Sequence, residues 1–217
     1  WRWAETVYDV LPELADAPKV LGVGDIHLEN FGTWRDVDGR LAWGVNDFDE
    51  AAEMPYLLDL SRLATSALLA GPRRAVSAKD IGASILRGYR KGLQEPEPIV
   101  LERDYGWLRE LVIVPETERE DFWGKIDRAT TERAPARYRK ALARRMPDPR
   151  CAMQTARRIA GSGSLGRPRW IGIADWRGAL VVREAKALVG SAWHRAHGRG
   201  KGTIRENPKR HGVQFVS

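Results

Sequence analysis

The sequence predicts an α+β fold in two lobes. Two stretches, 33–47 and 155–188, carry the pattern of β-hairpins, and helical periodicity fills most of the chain around them. The third observation is charge. Residues 1–65 hold 5 Lys/Arg against 13 Asp/Glu, residues 66–130 hold 11 of each, and residues 131–217 hold 20 against 5. An acidic start suits hard cations, which take carboxylate oxygens; a basic end suits phosphate or nucleic acid. With 217 residues the chain is long enough for one large domain or two small lobes around a shared cleft.

The elements follow in order. ETVYDVLPELADA (5–17) has helix-like spacing with Pro12 inside it, and APKVLGVGD (17–25) reads as a short buried strand entering a turn. After the polar stretch GDIHLENFG (24–32), TWRDVDGRLAWGVND (33–47) places Asp38-Gly39 between two apolar and aromatic runs, a hairpin signal. PYLLDLSRLATSALLAG (55–71) predicts a helix opened by Pro55 and closed by Gly71, with Leu57, Leu60, Leu63, Ala64, Ala67 and Leu68 on one face. SAKDIGASILRGYRKGLQ (77–94) predicts another, with Ser77 as N-cap and Asp80 in the capping-box position.

EPEPIV (95–100) reads as a linker, and 115–146 as charged helix broken near Pro135. MPDPR (146–150) is a loop and sets the expected boundary, giving a mostly helical lobe over 1–146 and a β lobe over 150–217. In the second lobe a Gly-rich turn precedes RWIGIA, the turn DWRG and ALVVREA; the Gly- and Arg-rich tail 190–212 reads as loose. No apolar run reaches the roughly 18 residues that span a bilayer, so no membrane association is expected. The single Cys151 excludes an internal disulfide and points to a cytoplasmic setting. The chain opens at Trp1 and ends inside VQFVS, which suggests a C-terminally truncated fragment of a longer protein.

Phosphoryl transfer needs a carboxylate beside the attacking hydroxyl and oxygen ligands that hold Mg²⁺ against nucleotide phosphates. Kinases place the first carboxylate on a loop, an amide ligand five positions on, and a second, metal-binding Asp after a hairpin. Asp25 and Asn30 have that spacing, the hairpin follows, and Asp47 stands at its far end in NDFDE. A zinc site is disfavoured, because His27 without a nearby Cys cannot fill a tetrahedral shell.

AGSGSLGRPRW contains G-x-G-x-x-G at Gly161, Gly163 and Gly166. A dinucleotide fingerprint would run on into a helix. Pro168 and the alternation of RWIGIA predict a strand instead, the form in which backbone N–H groups cover nucleotide phosphates. The next strand offers a phosphate-binding cation in Arg183 or Lys186, with Glu184 expected on the face opposite Arg183. The helix Glu that usually pairs with such a Lys is not identifiable; Glu206 is a poor candidate.

The stretch GDIHLENFGTWRDVDGRLAWGVNDFDEAAEMPYLLDLSRLA resembles the catalytic core of aminoglycoside phosphotransferase-like kinases. It is still more similar to an uncharacterised bacterial family, domain-of-unknown-function family 2252, over residues 15–75 and again over 150–195. The resemblance implies a protein-kinase-like two-lobe fold, with ATP and Mg²⁺ as cofactors and an unknown hydroxyl acceptor. It makes Asp25 the catalytic base, His27 a support of loop geometry, Asn30 and Asp47 metal ligands, and Asp59 a buttress of the loop from the next helix. Asp-Phe is followed by Asp49 and Glu50 where many kinases have Gly; Asp49 is a further candidate ligand. It aligns VREA with a VKEA-like segment and so favours Arg183, whereas the chemistry of this strand favours Lys186. Because the Gly-rich segment follows the catalytic loop, the lobes would be circularly permuted.

Two other functions fit the sequence. One is a nucleotide-binding pseudokinase-type regulator. The other, less favoured, is a nucleic-acid-binding module using the basic C-terminal third with Trp170, Trp176 and Trp193. Neither the acceptor nor the oligomeric state is legible.

Overall fold

The computed structural model describes residues 2–71, 76–158, 168–187 and 190–198. It is a mixed α+β structure with small antiparallel sheets. The described residues divide into two compact units, one built from 2–113 with 190–198 and the other from 114–187. The loop 146–150, expected as the boundary, lies inside the second unit.

In the first unit, helix α1 (Arg2–Val10) stops before Pro12, which has no N–H to donate and opens a 3-10 turn at Pro12–Asp16. The expected continuous helix is therefore two elements. Strand β1 (Lys19–Gly22) pairs antiparallel with β4 (Ala52–Pro55), in the register Gly22↔Ala52. β1 is not the buried strand expected: only Gly22 is buried, because its one sheet neighbour is β4. Strands β2 (Phe31–Arg35) and β3 (Leu41–Val45) form the expected hairpin two residues earlier than its sequence limits. Asp36 closes its loop by accepting the N–H groups of Asp38 and Arg40, and Gly39 supplies the positive φ of 78°. β5 (Ile99–Val100) pairs with β3, so the end of EPEPIV is a short strand and not only a linker.

Helix α2 (Tyr56–Ala70) runs from Pro55 to Gly71 as the sequence predicts, but a different residue meets the core. Leu58 is fully buried, whereas Leu68 on the expected face is exposed. Leu58 packs with Met54, Ala52, Ala4, Val7 and Trp193. Helix α3 (Ala78–Gln94) has its capping box: Ser77 Oγ accepts from Asp80 N at 3.1 Å and donates to Asp80 Oδ2 at 2.7 Å. α4 (Gly106–Val112) completes the run to residue 113.

Residues 190–198 correct the reading of a loose tail. Ser191 caps α7 (Ala192–His197) by accepting from Trp193 N, and Trp193 is buried in the α1 core. Its ring meets Tyr8 edge-on at 5.7 Å and lies 4.1 Å from His197, whose Nε2 is 2.7 Å from the Ala4 carbonyl. Burial holds the Tyr8 phenol above its usual pKa. Aromatic burial offsets the local polarity that suggested disorder.

In the second unit, β6 (Gln154–Arg157), β7 (Arg169–Trp176) and β8 (Ala179–Lys186) form one antiparallel sheet. Arg177 and Gly178 turn the β7–β8 hairpin with φ of 53° and 84°, the paired positive values of a two-residue turn. α6 (Ala136–Ala143) covers one face with Tyr138 and Leu142 against Trp170 and Ala185. α5 (Glu116–Asp127) covers the other with Ile126 and Phe122 against Ile171 and Val182. The break between these helices falls at Pro135, as the sequence predicts.

Truncating Trp193 to Ala should lower the free energy of unfolding by about 3–5 kcal/mol, as for other buried large-to-small changes. Leu93→Ala, on a side chain 66% exposed, should stay within about 0.5 kcal/mol. Urea unfolding of the two variants checks both; equal effects would contradict the packing of 190–198.

Candidate functional site

The polar residues of the first unit gather where two ladders end. The β1–β4 register of Gly22↔Ala52 brings residues 23–25 alongside 49–51. The β2–β3 register starts at Phe31↔Val45, which brings Asn30 beside residues 46 and 47. The loop 23–30 and the turn 46–51 are thus forced together from both ends.

Contact between them is close. Gly24 has φ of +83°, and a Cβ there would fall 2.2 Å from the Glu50 carbonyl oxygen, so a side chain is excluded both by conformation and by space. Asn30 is buried, with 4% of its surface exposed. Its Nδ2 donates to the carbonyls of Asp25 and Asp47, each at 3.1 Å, and its Oδ1 accepts from Asp47 N at 3.0 Å. Its own carbonyl accepts from Asn46 N at 3.0 Å. Within the turn, Asp47 Oδ1 accepts from Asp49 N at 3.1 Å, which sets both acidic residues in one tight bend. Glu50 reaches out of the bend, and its Oε2 accepts from Ala192 N at 2.5 Å.

One face of α2 fixes the other side of the loop. Asp59 accepts from Val23 N at 2.6 Å and from Gly24 N at 3.0 Å, the buttress that the resemblance implies. Arg62, three residues on, ion-pairs with Asp25 through Nη2 and Oδ1. Ser66, four further, accepts from Leu28 N at 3.1 Å. Spacing of three and four residues aligns side chains along a helix. Arg62 and Ser66 were not singled out in the sequence, yet the i, i+3, i+7 recurrence of polar residues beginning at Asp59 was the signal available. His27 contributes its carbonyl to Asn30 N at 3.0 Å; among the described residues its ring makes no hydrogen bond.

Asp25, His27, Asn30, Asp47 and Asp49, the candidates read from the sequence, lie on the loop 23–30 and the turn 46–51, with Asn30 buried between the two. As candidate metal donors, the carboxylates of Asp47 and Asp49 are hard oxygens, as is Asn30 Oδ1. Among the described residues no group of three or more His, Cys, Asp or Glu is placed as a metal cage. Mg²⁺ needs none: it keeps several waters and takes one or two carboxylates plus substrate phosphates.

In the second unit, Gly161, Gly163 and Gly166 lie outside the described residues, as does Glu206. The strand expected after the Gly-rich segment is β7. Arg183 and Lys186, three apart on β8, project to opposite faces of the sheet. Arg183 turns to the α6 side, where Nε donates to the Arg145 carbonyl and Nη1 to that of Val182; burial lowers its pKa. Glu184 faces the other way and is buried, ion-paired with Arg158 at 2.9 Å and Arg169 at 3.0 Å.

A family model described as "Uncharacterized protein conserved in bacteria (DUF2252)" matches residues 5–155. The chain belongs to this family. The DUF2252 match runs from α1 into β6 and contains the whole of the loop 23–30, the turn 46–51 and the polar face of α2. The Gly-rich segment and the β7–β8 hairpin lie beyond it. No curated protein and no solved structure matches the chain. Among the described residues no helix is long and apolar enough to cross a membrane.

Asp59→Asn keeps the shape but replaces one accepting oxygen by an amide that opposes an N–H. It should cost about 1–3 kcal/mol, the usual penalty for stranding a partly buried donor. Guanidinium unfolding measures this; a change under about 0.5 kcal/mol would remove Asp59 as the buttress of the loop.

Proposed function

We propose that this chain carries the catalytic part of an ATP- and Mg²⁺-dependent phosphotransferase with a protein-kinase-like core. One observation supports the reading above all others: the side chain of Asn30 is bonded to the main chain of both Asp25 and Asp47. Those residues are a loop carboxylate, an amide five positions later, and an Asp at the end of the following hairpin, the three groups that phosphoryl transfer requires near one another.

Asp25 accepts the hydrogen bond of an acceptor hydroxyl and takes its proton. The hydroxyl oxygen forms the new bond to the γ-phosphorus while the bond to the β-phosphate oxygen breaks, and ADP leaves with that electron pair. Asp47 and Asp49, together with Asn30, would hold Mg²⁺. When bound, the metal would supply charge neutralisation on the nucleotide phosphates. Asp59, Gly24 and Asn30 keep the loop and the acidic turn in register, so catalysis is positioning together with electrostatic stabilisation. This reading rests on the first unit alone.

Melting temperature with ATP, with and without Mg²⁺, tests it. A ligand that binds only the folded state adds about 2.7 kcal/mol of stability at a hundredfold excess over Kd. The expected result is a Mg²⁺-dependent rise that Asp47→Asn removes. That substitution leaves the main-chain bonds between residue 47 and Asn30 in place. No metal-dependent rise, or the same rise in the variant, would contradict the proposal.

A further inference from the structure

Resting on the reading of Asp25 as the base, we propose that Arg62 is a positioning residue for that carboxylate. It pins Oδ1 so that Oδ2 is presented to the acceptor hydroxyl. Arg62 Nη2 donates to Asp25 Oδ1, while Oδ2 has no hydrogen bond among the described residues. The Asp25 side chain keeps 49% of its surface exposed, so its second oxygen is open to a substrate.

Exposed ion pairs contribute little, because two long side chains must be ordered to make them. Here the ordering is shared. The Arg62 guanidinium lies over the Trp3 ring at 4.7 Å, and Trp3 packs against buried Trp193 at 6.1 Å. A flat guanidinium can stack and donate at once, which an ammonium cannot. Asp59, one turn earlier on α2, holds the main chain of the same loop through Val23 and Gly24. One helix face thus fixes both the backbone and the side chain of the carboxylate. For a group whose task is to receive a proton along one direction, fixed orientation matters more than the strength of the pair.

Two measurements on the whole chain test this. The first is NMR of the Arg62 guanidinium. Rotation about its Cζ–Nη bonds should be slow in the wild type and released in Asp25→Asn; free rotation in the wild type overturns the inference, whatever the activity. The second is phosphate release from Mg·ATP, with water as acceptor, in Arg62→Met and Arg62→Lys. Arg62→Met should lower kcat by about 10- to 100-fold, the range that misplacement of a reacting group costs, with KM for ATP unchanged. Arg62→Lys should recover part of the loss. Unchanged kcat in Arg62→Met overturns the inference, as does loss of Mg·ATP binding in step with turnover, which marks a merely structural residue. Absence of Mg·ATP binding and turnover in the wild type defeats the phosphotransferase reading, and the positioning role with it, even where slow rotation confirms the ion pair.

Discussion

Asn30 has two donors and two acceptor lone pairs, and three of these four valences are spent on main chain of the residues around it. It is buried, so each bond left unmade would cost about 1–3 kcal/mol. The amide can satisfy itself only if the carbonyls of Asp25 and Asp47 both turn toward it. That requirement holds the two acidic turns together where the β-ladders bring them, and the placing of Asp47 against Asp25 depends on it.

The rest of the first unit is arranged to make this juncture rigid. Two antiparallel ladders end beside it, β1–β4 and β2–β3. Gly24 allows the approach that any other residue would block. The polar face of α2 holds the loop by Asp59, Arg62 and Ser66, while Leu58 anchors the same helix in the core. Glu50 ties the acidic bend to α7, and α7 packs through Trp193 on α1. The site is held by main-chain bonds and core packing, and the carboxylates of Asp59 and Glu50 add bonds to the main chain of Val23, Gly24 and Ala192.

Much of this was legible in the sequence because it depended on local rules. Capping residues marked the ends of α2 and α3, Asp-Gly marked the first hairpin, and the spacing from Asp25 through Asn30 to Asp47 marked the site. What was not legible depended on partners far along the chain. No strand was legible at β4, whose strand character comes from pairing with β1 thirty or more residues earlier. Leu58 and not Leu57 became the buried position of α2, because the core it meets is set by α1 and Trp193. Residues 190–198 read as loose from their Gly and Arg content, yet Trp193 docks them in the α1 core, helped by the bonds of Ala192 to Glu50 and of His197 to Ala4. Arg62 escaped notice since its importance lies in Trp3 and Asp25, neither near it in sequence.

The measurement that bears most directly on the central constraint is amide hydrogen exchange at Val23, Gly24 and Asp47. In the wild type all three should be strongly protected, although they lie in loops, where exposed backbone normally opens easily. In Asn30→Ala, Asp47 should lose its protection while Val23 and Gly24, held by Asp59, keep theirs. Exchange at Asp47 in the wild type as fast as at Val37, on the open tip of the β2–β3 hairpin, would show that Asn30 does not bind the two turns together.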